Sequence, residues 1–356
     1  YVSSILIPLL SHPWSYPTLL PLQLSLFVGM MIIALFTRLP LVRFYAPRMT
    51  RGGFLFLMVI GSIILYSILV VSMGARFQFP TLGDLYVLRQ DQRQAAASVG
   101  VAVYLISWAA KVVNPCLLVY GLVRHRWVLF LLGLLGQLFM FMQGGQKSML
   151  IVIPLIIGIN WVIQYSKWPL GLLMLAGLMT LVITLIGVDI YYETSIASSL
   201  LLRRPIITPG LLTGFYFDYF NSHPFVYYSH SFMHGIIDST NSVSPPFLIG
   251  KQYFGNSDMS ANANIWADAY ANLGHLGIML HSIIFGAVFW VVDCLAEQVE
   301  ARIAVLLIIP AAWAMADSAL FTSLLTHGLL LIMVVIWIFP PLSGSKKVEF
   351  YAHLPP

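Results

Sequence analysis

The chain alternates long apolar runs with short polar ones, and the apolar runs are of membrane length. A helix needs roughly 20 predominantly apolar residues to cross the hydrocarbon core. Runs of that kind predict spans at 18–38, 53–73, 99–122, 127–143, 148–165, 169–190, 264–292, 302–317 and 319–340. The opening run 1–10 is apolar but too short to cross. It reads as part of a further N-terminal span whose start is missing, not as a signal peptide, because it lacks a basic leader and a cleavage site. The pattern predicts an all-α, polytopic transmembrane helix bundle of about nine full spans plus a partial N-terminal one. Residues 1–356 form a single integral membrane domain in this reading.

One stretch breaks the rhythm. Residues 191–263 are polar and aromatic, and predict one large external loop carrying short interfacial helices. The loop and the first residues of the following span hold Arg203, Arg204, Asp218, His223, His230, His234, Asp238 and Asp268.

Composition supports the class. Of 356 residues 59% are hydrophobic and 9% charged, against roughly 25% charged in a soluble domain. Such a chain cannot solvate its own surface, and nothing in it suggests a nucleic-acid partner. The two cysteines, Cys116 and Cys294, lie in or beside predicted spans and offer no disulfide framework or zinc motif.

Basic residues set the orientation. Threading nine spans puts Arg38, Arg43, Arg48, Arg51, Arg124, Arg126, Lys167, Arg302, Lys346 and Lys347 on one side, which is then cytoplasmic. Arg76, Arg89, Arg93, Lys147, Arg203, Arg204 and Lys251 fall outside, and Lys111 falls inside a span. An anionic ligand on the outer face would account for the external cations; pairing with Asp84, Asp91, Asp238 and Asp258 is the alternative. Asp317 and Asp189 are possible partners for Lys111.

Several groups suit chemistry. Guanidinium forks match phosphate oxygens, so Arg203 and Arg204 suit a diphosphate; headgroup anchoring is the plainer reading. Residues 214–221 are dense in aromatics, as an interfacial belt is, yet an aromatic belt does not explain Asp218, which suits a general base. His230 and His234 stand four apart, a zinc-capable spacing without the third ligand or partner Glu. At about 100° per residue, Asn264, Asp268, Asn272 and His275 fall within an arc of roughly 80°, a polar stripe on one helix face. The paired glycines of the turn 143–148, with Lys147 beside them, would let backbone N–H groups approach an anion.

Taken in order, these motifs resemble the Wzy-type O-antigen or oligosaccharide repeat-unit polymerases. The match runs over roughly residues 200–275: Arg203, Arg204, Pro209 and Gly210; residues 216–224; residues 229–231; residues 247–250 with 253–255; and residues 262–274. Outside it, only hydropathy and the turn 145–148 agree, and the loop 74–98 has no counterpart. The resemblance implies a C-superfamily glycosyltransferase of lipopolysaccharide biosynthesis in a bacterial inner membrane, with its site on the periplasmic side. It would transfer a growing glycan from undecaprenyl diphosphate to the next lipid-linked repeat unit, with no cofactor or metal. Undecaprenyl-diphosphate-linked oligosaccharide would be both donor and acceptor, and a chain-length regulator protein a further partner. The implied roles are His230, Asp268, Asp218 and His223 as catalytic candidates, with the first two ranked ahead; Arg203, Arg204, Lys147 and Arg76 on the diphosphate; and Asn264, Asn272, Tyr216 and Trp266 on sugar. An O-antigen ligase and a flippase of lipid-linked sugars are rivals. A membrane acyltransferase is a third, with His327 as its only candidate histidine.

Overall fold

The computed structural model describes residues 16–340 apart from 46, 48, 82, 204–206, 232, 234, 239–242 and 298. The expected partial N-terminal span, Arg48, Arg204, His234, Lys346 and Lys347 therefore lie outside the described residues. The protein is all-helical, with 75% of it in helix and no strand among the described residues. The helices are α1 Tyr16–Phe36, α2 Arg51–Met73, α3 Leu85–Val99, α4 Ala102–Val123, α5 Trp127–Gly144, α6 Lys147–Tyr165, α7 Leu170–Tyr191, α8 Ile196–Leu201, α9 Thr208–Ser222, α10 Pro245–Phe254, α11 Ile265–Ala296, α12 Ala301–Ala314, α13 Leu320–Leu324 and α14 Leu329–Ile338.

Among the described residues, eight stretches of helix are long and apolar enough to cross a membrane: Leu19–Phe36, α2, α4, α5, α6, α7, α11 and Leu320–Ile338. This is a membrane protein. The ninth predicted span, 302–317, is the 14-residue α12 followed by a 3₁₀ turn, Met315–Asp317. At 1.5 Å per residue α12 reaches only about 21 Å, short of the ~30 Å hydrocarbon core. Among the described residues, 192–264 hold the short helices α8, α9 and α10, none of spanning length.

The fold divides into two compact units. The first is built from α1, α7 to α10, α11 as far as Val291, and residues 314–320. Its core joins Leu19, Leu22 and Leu26 of α1 to Leu212, Tyr216 and Phe220 of α9, Ile249 of α10, and Ala267, Ala271 and Ile278 of α11. The spacing 19, 22, 26 is a helical stripe. On the other faces of the same helix Leu24, Phe27 and Met31 are exposed. A predominantly apolar helix with one buried stripe suits a lipid-facing position.

The second unit contains α2 to α6. There α4 and α5 approach closely through Gly121, Gly133 and Gly136. A Cβ at Gly121 would stand 2.4 Å from the Phe130 nitrogen, and one at Gly133 2.8 Å from the Asn114 carbonyl oxygen. Small residues are what let membrane helices pack this closely. Within α4, Ala109–Val113 form a π turn just before Pro115. Proline lacks the N–H that would bond residue 111 and its ring crowds that carbonyl. The widened turn absorbs the fault, and Gln137 of α5 donates to the Ala110 carbonyl at 2.8 Å. Lys111, on this turn, contacts Nδ1 of His327. That histidine was not among the partners the sequence proposed for it. Of those, Asp189 accepts from the backbone nitrogens of Ala197 and Ser198 at 2.9 Å each, capping α8.

Candidate functional site

The predicted catalytic residues, Arg203 and the predicted sugar-binding residues all belong to the first unit. Two groupings emerge from them.

The first surrounds the start of α11. Asn264 caps the helix: its Oδ1 accepts from the backbone nitrogens of Trp266 and Ala267, both at 3.1 Å. Its Nδ2 donates to Thr213 Oγ1 at 2.8 Å and the Pro209 carbonyl at 3.3 Å. This ties α11 to α9. One turn on, Asp268 is half-buried. Tyr216 donates to the Ala261 carbonyl at 3.1 Å. Burial, and then the charge of Asp268, hold its phenol well above the usual range. The same two causes push Tyr228 up to about 12. Asp268 therefore lies within electrostatic reach of both phenols.

Tyr228 stands on an unusual backbone. Tyr227 and Tyr228 have φ of 47° and 60°, left-handed values that side chains disfavour. The turn is held by α11: Tyr227 N–H donates to the Asn272 carbonyl at 3.3 Å and Tyr228 N–H to Asn272 Oδ1 at 2.7 Å. Asn272 Nδ2 in turn donates to the Asp268 carbonyl at 2.8 Å. The result carries the Tyr228 hydroxyl to 2.8 Å from Nε2 of the fully buried His281.

These contacts revise three sugar-binding assignments. Asn264 and Asn272 are each 4% exposed and Tyr216 is 2% exposed, and their polar atoms are spent inside the protein. They build the site and do not face it. Trp266 donates to Ser282 Oγ at 3.2 Å but is only half-buried, so part of its ring remains on the surface. The continuous polar stripe also fails at its end. α11 breaks at Leu273 and Gly274 (φ −142° and 59°), which removes His275 from the helical register of Asn264, Asp268 and Asn272. His275 instead meets Ser25 Oγ of α1 at 3.0 Å.

The second grouping lies on the outer face of α9. Asp218 is exposed, and Tyr253 of α10 donates to its Oδ2 at 2.5 Å. Tyr253 is fixed by stacking on Phe215, with ring centroids 4.3 Å apart. Burial, then the bond to Asp218 and its charge, raise the Tyr253 phenol above its usual range. His223 ends α9. Its Nδ1 lies 2.8 Å from the Tyr219 carbonyl, and its ring stacks on Tyr219 with centroids 4.1 Å apart. A carbonyl only accepts. Nδ1 therefore carries the proton, and Nε2 is the basic nitrogen of an exposed ring.

The remaining candidates are more dispersed. His230 is half-buried. Arg203 is exposed, and its backbone carbonyl accepts from Thr208 Oγ1 at 2.8 Å. Lys147 and Arg76 belong to the second unit. Lys147 opens α6 and is exposed. Arg76 pairs with Asp91 at 3.4 Å, one of the acids the sequence offered as a partner for the external cations. The turn 143–148 is likewise a helix terminus. Gly145 is its left-handed cap, its N–H donates to Phe141, and its carbonyl faces the Arg89 guanidinium at 2.9 Å.

Sequence reasoning missed Tyr253, Tyr228 and His281. A histidine inside an apolar run is a costly placement, and that was the available signal for His281. No protein-family model, curated protein or solved structure matches this chain.

Proposed function

We propose that this protein is a membrane glycosyltransferase of the Wzy-polymerase type. It lengthens a lipid-linked glycan by moving the chain from undecaprenyl diphosphate to the next lipid-linked repeat unit. The observation that carries the reading is the exposed cluster of Asp218, Tyr253 and His223. Here a chain with 9% charged residues exposes a carboxylate 2.5 Å from a phenol, on a helix whose end carries an exposed histidine stacked on Tyr219.

In the reaction, an acceptor sugar hydroxyl attacks the anomeric carbon of the donor. The bond to the lipid diphosphate breaks, and the hydroxyl proton passes to a protein base. A sugar hydroxyl is a weak nucleophile near neutral pH and gains from such a base. Asp218 and His223, both exposed, suit that role better than half-buried Asp268 and His230. Asp268 then acts through the phenols around it. The leaving diphosphate gathers charge, which Arg203 and Arg204 would meet. Rings at Tyr219, His223 and Trp266 offer stacking faces for sugars. Residues 191–263 would face the periplasm, the side on which the resemblance to Wzy-type polymerases puts the site.

The test is reconstitution. Purified protein in liposomes, given only lipid-linked repeat units, should yield a ladder of glycan lengths. Asp218→Asn should abolish the ladder without changing the elution of the folded protein. A wild-type protein that leaves its substrate unextended would sink the proposal.

A further inference from the structure

In the second unit, Arg76, Asp91, Gln92 and Gln143 line a cavity of about 50 Å³ whose remaining wall includes Leu69, Met73, Ile106, Phe139 and Met140. We propose that this cleft binds the headgroup of a zwitterionic phospholipid, with phosphate at Arg76, ammonium at Asp91 and an ester carbonyl at Gln92.

Three observations carry it. The first is Gln92. The residue is 7% exposed, and its Nε2 has no hydrogen-bond partner among the described residues. Buried donors are rarely left so, and the cavity they line is where an acceptor belongs. The amide is seated deliberately: it lies over Gly144, where a Cβ would come within 2.1 Å of Oε1. The second is the mouth. Arg76 and Asp91 pair at 3.4 Å with 53% and 48% of their side chains exposed. A cation and an anion side by side match a headgroup carrying both charges in the reverse order. An anionic headgroup would satisfy Arg76 but meet like charge at Asp91. The third is depth. α2 ends at Met73 and α5 at Gly144, so the charged mouth sits beyond the ends of two spans and the apolar wall within them. That is the level at which lipid headgroups give way to chains. Interfacial anchoring alone explains Arg76 but leaves the Gln92 donor unanswered.

This inference is independent of the glycan chemistry. Native mass spectrometry of the purified protein, loaded with equal phosphatidylethanolamine and phosphatidylglycerol, should show the first retained in about tenfold excess. Asp91→Asn should erase that preference by removing the ammonium partner and freeing Arg76 for the anionic lipid. Gln92→Leu should weaken both lipids without changing their ratio, since both carry the ester carbonyl. Equal retention of the two lipids by the wild type would overturn the proposal, as would a preference surviving in Asp91→Asn. Soluble phosphoethanolamine is the third arm. If it displaces the lipid at equal concentration, the site serves a free metabolite and the lipid assignment fails. Asp91 is an exposed side chain, so its substitution tests the idea even if Gln92→Leu fails to fold.

Discussion

The Tyr228 hydroxyl lies 2.8 Å from His281 Nε2, while Nδ1 of the same ring lies 3.1 Å from the Ile265 carbonyl. The carbonyl fixes the proton on Nδ1, so Nε2 accepts from the phenol. Both ring nitrogens of a fully buried histidine are thereby satisfied. Tyr228→Phe removes this hydrogen bond from a buried ring, a change that costs about 0.5–1.5 kcal/mol. Thermal unfolding in detergent should show the loss. The double variant with His281→Leu should lose less than the sum of the two singles.

The same phenol predicts a pH dependence. Tyr228 is raised from 10.0 to about 12, by burial and then by Asp268. Its folded-state value lies above its unfolded one, so its contribution to stability is complete below pH 10. As pH climbs from 10 towards 12 the unfolded chain loses this proton first, and stability falls. Difference titration of wild type against Tyr228→Phe at the tyrosinate absorbance should place the missing phenol near 12. A value near 10 would contradict the buried contact.

Tyr253 and Asp218 give a prediction in which stability and activity separate. The pair is joined at 2.5 Å but Asp218 is exposed, so solvent screens it and Tyr253→Phe should cost no more than about 1 kcal/mol. If Asp218 is the base, its orientation depends on that phenol. Tyr253→Phe should then lower the rate of glycan extension while leaving substrate affinity nearly unchanged. Asp218→Asn should lower the rate by about 10²–10⁴-fold. Steady-state extension assays alongside thermal unfolding distinguish the two effects.

Class and helix positions were legible because they follow from apolar run length, which is local. α2, α5, α6 and α7 fall within a few residues of their predicted limits. The span at 302–317 was overestimated because hydropathy does not register that the helix stops at Ala314 and tightens into a 3₁₀ turn. The site was less legible because its contacts are long-range. Tyr253 lies 35 positions from Asp218 and His281 53 positions from Tyr228, and no local pattern pairs them. Asn264 and Asn272 misled for a different reason. A polar residue on an apolar helix is equally suited to bind sugar and to cap or clamp its neighbours; only the geometry separates these.

Lys111 and His327 should behave as a unit. The lysine sits on the π turn of α4, a candidate span, in contact with Nδ1 of His327. A contact between an ammonium group and a ring nitrogen is a hydrogen bond to a charged group, which contributes about 1.5–3 kcal/mol. His327→Leu should cost about that much, and less once Lys111→Met has already removed the donor. A double-mutant cycle read by thermal unfolding checks this. Additive losses would mean that the contact contributes little.

The break in α11 depends on Gly274, whose φ of 59° and ψ of −142° suit no residue with a side chain. There is a second obstacle, since a Cβ here would stand 2.7 Å from Cζ of Phe225. Gly274→Ala therefore carries a backbone penalty of about 1–3 kcal/mol and a clash with Phe225 as well. The two terms can be separated. Phe225→Leu shortens the opposing side chain, so in the double variant the clash is relieved while the backbone term remains. Thermal unfolding should place Gly274→Ala lowest, with the double variant recovering part of the loss relative to Phe225→Leu alone. Full recovery would mean that contact with Phe225, and not backbone conformation, demands glycine at the break. A Gly274→Ala protein as stable as wild type would mean that α11 runs through this point as an ordinary helix. His275 would then rejoin the face that carries Asn264, Asp268 and Asn272.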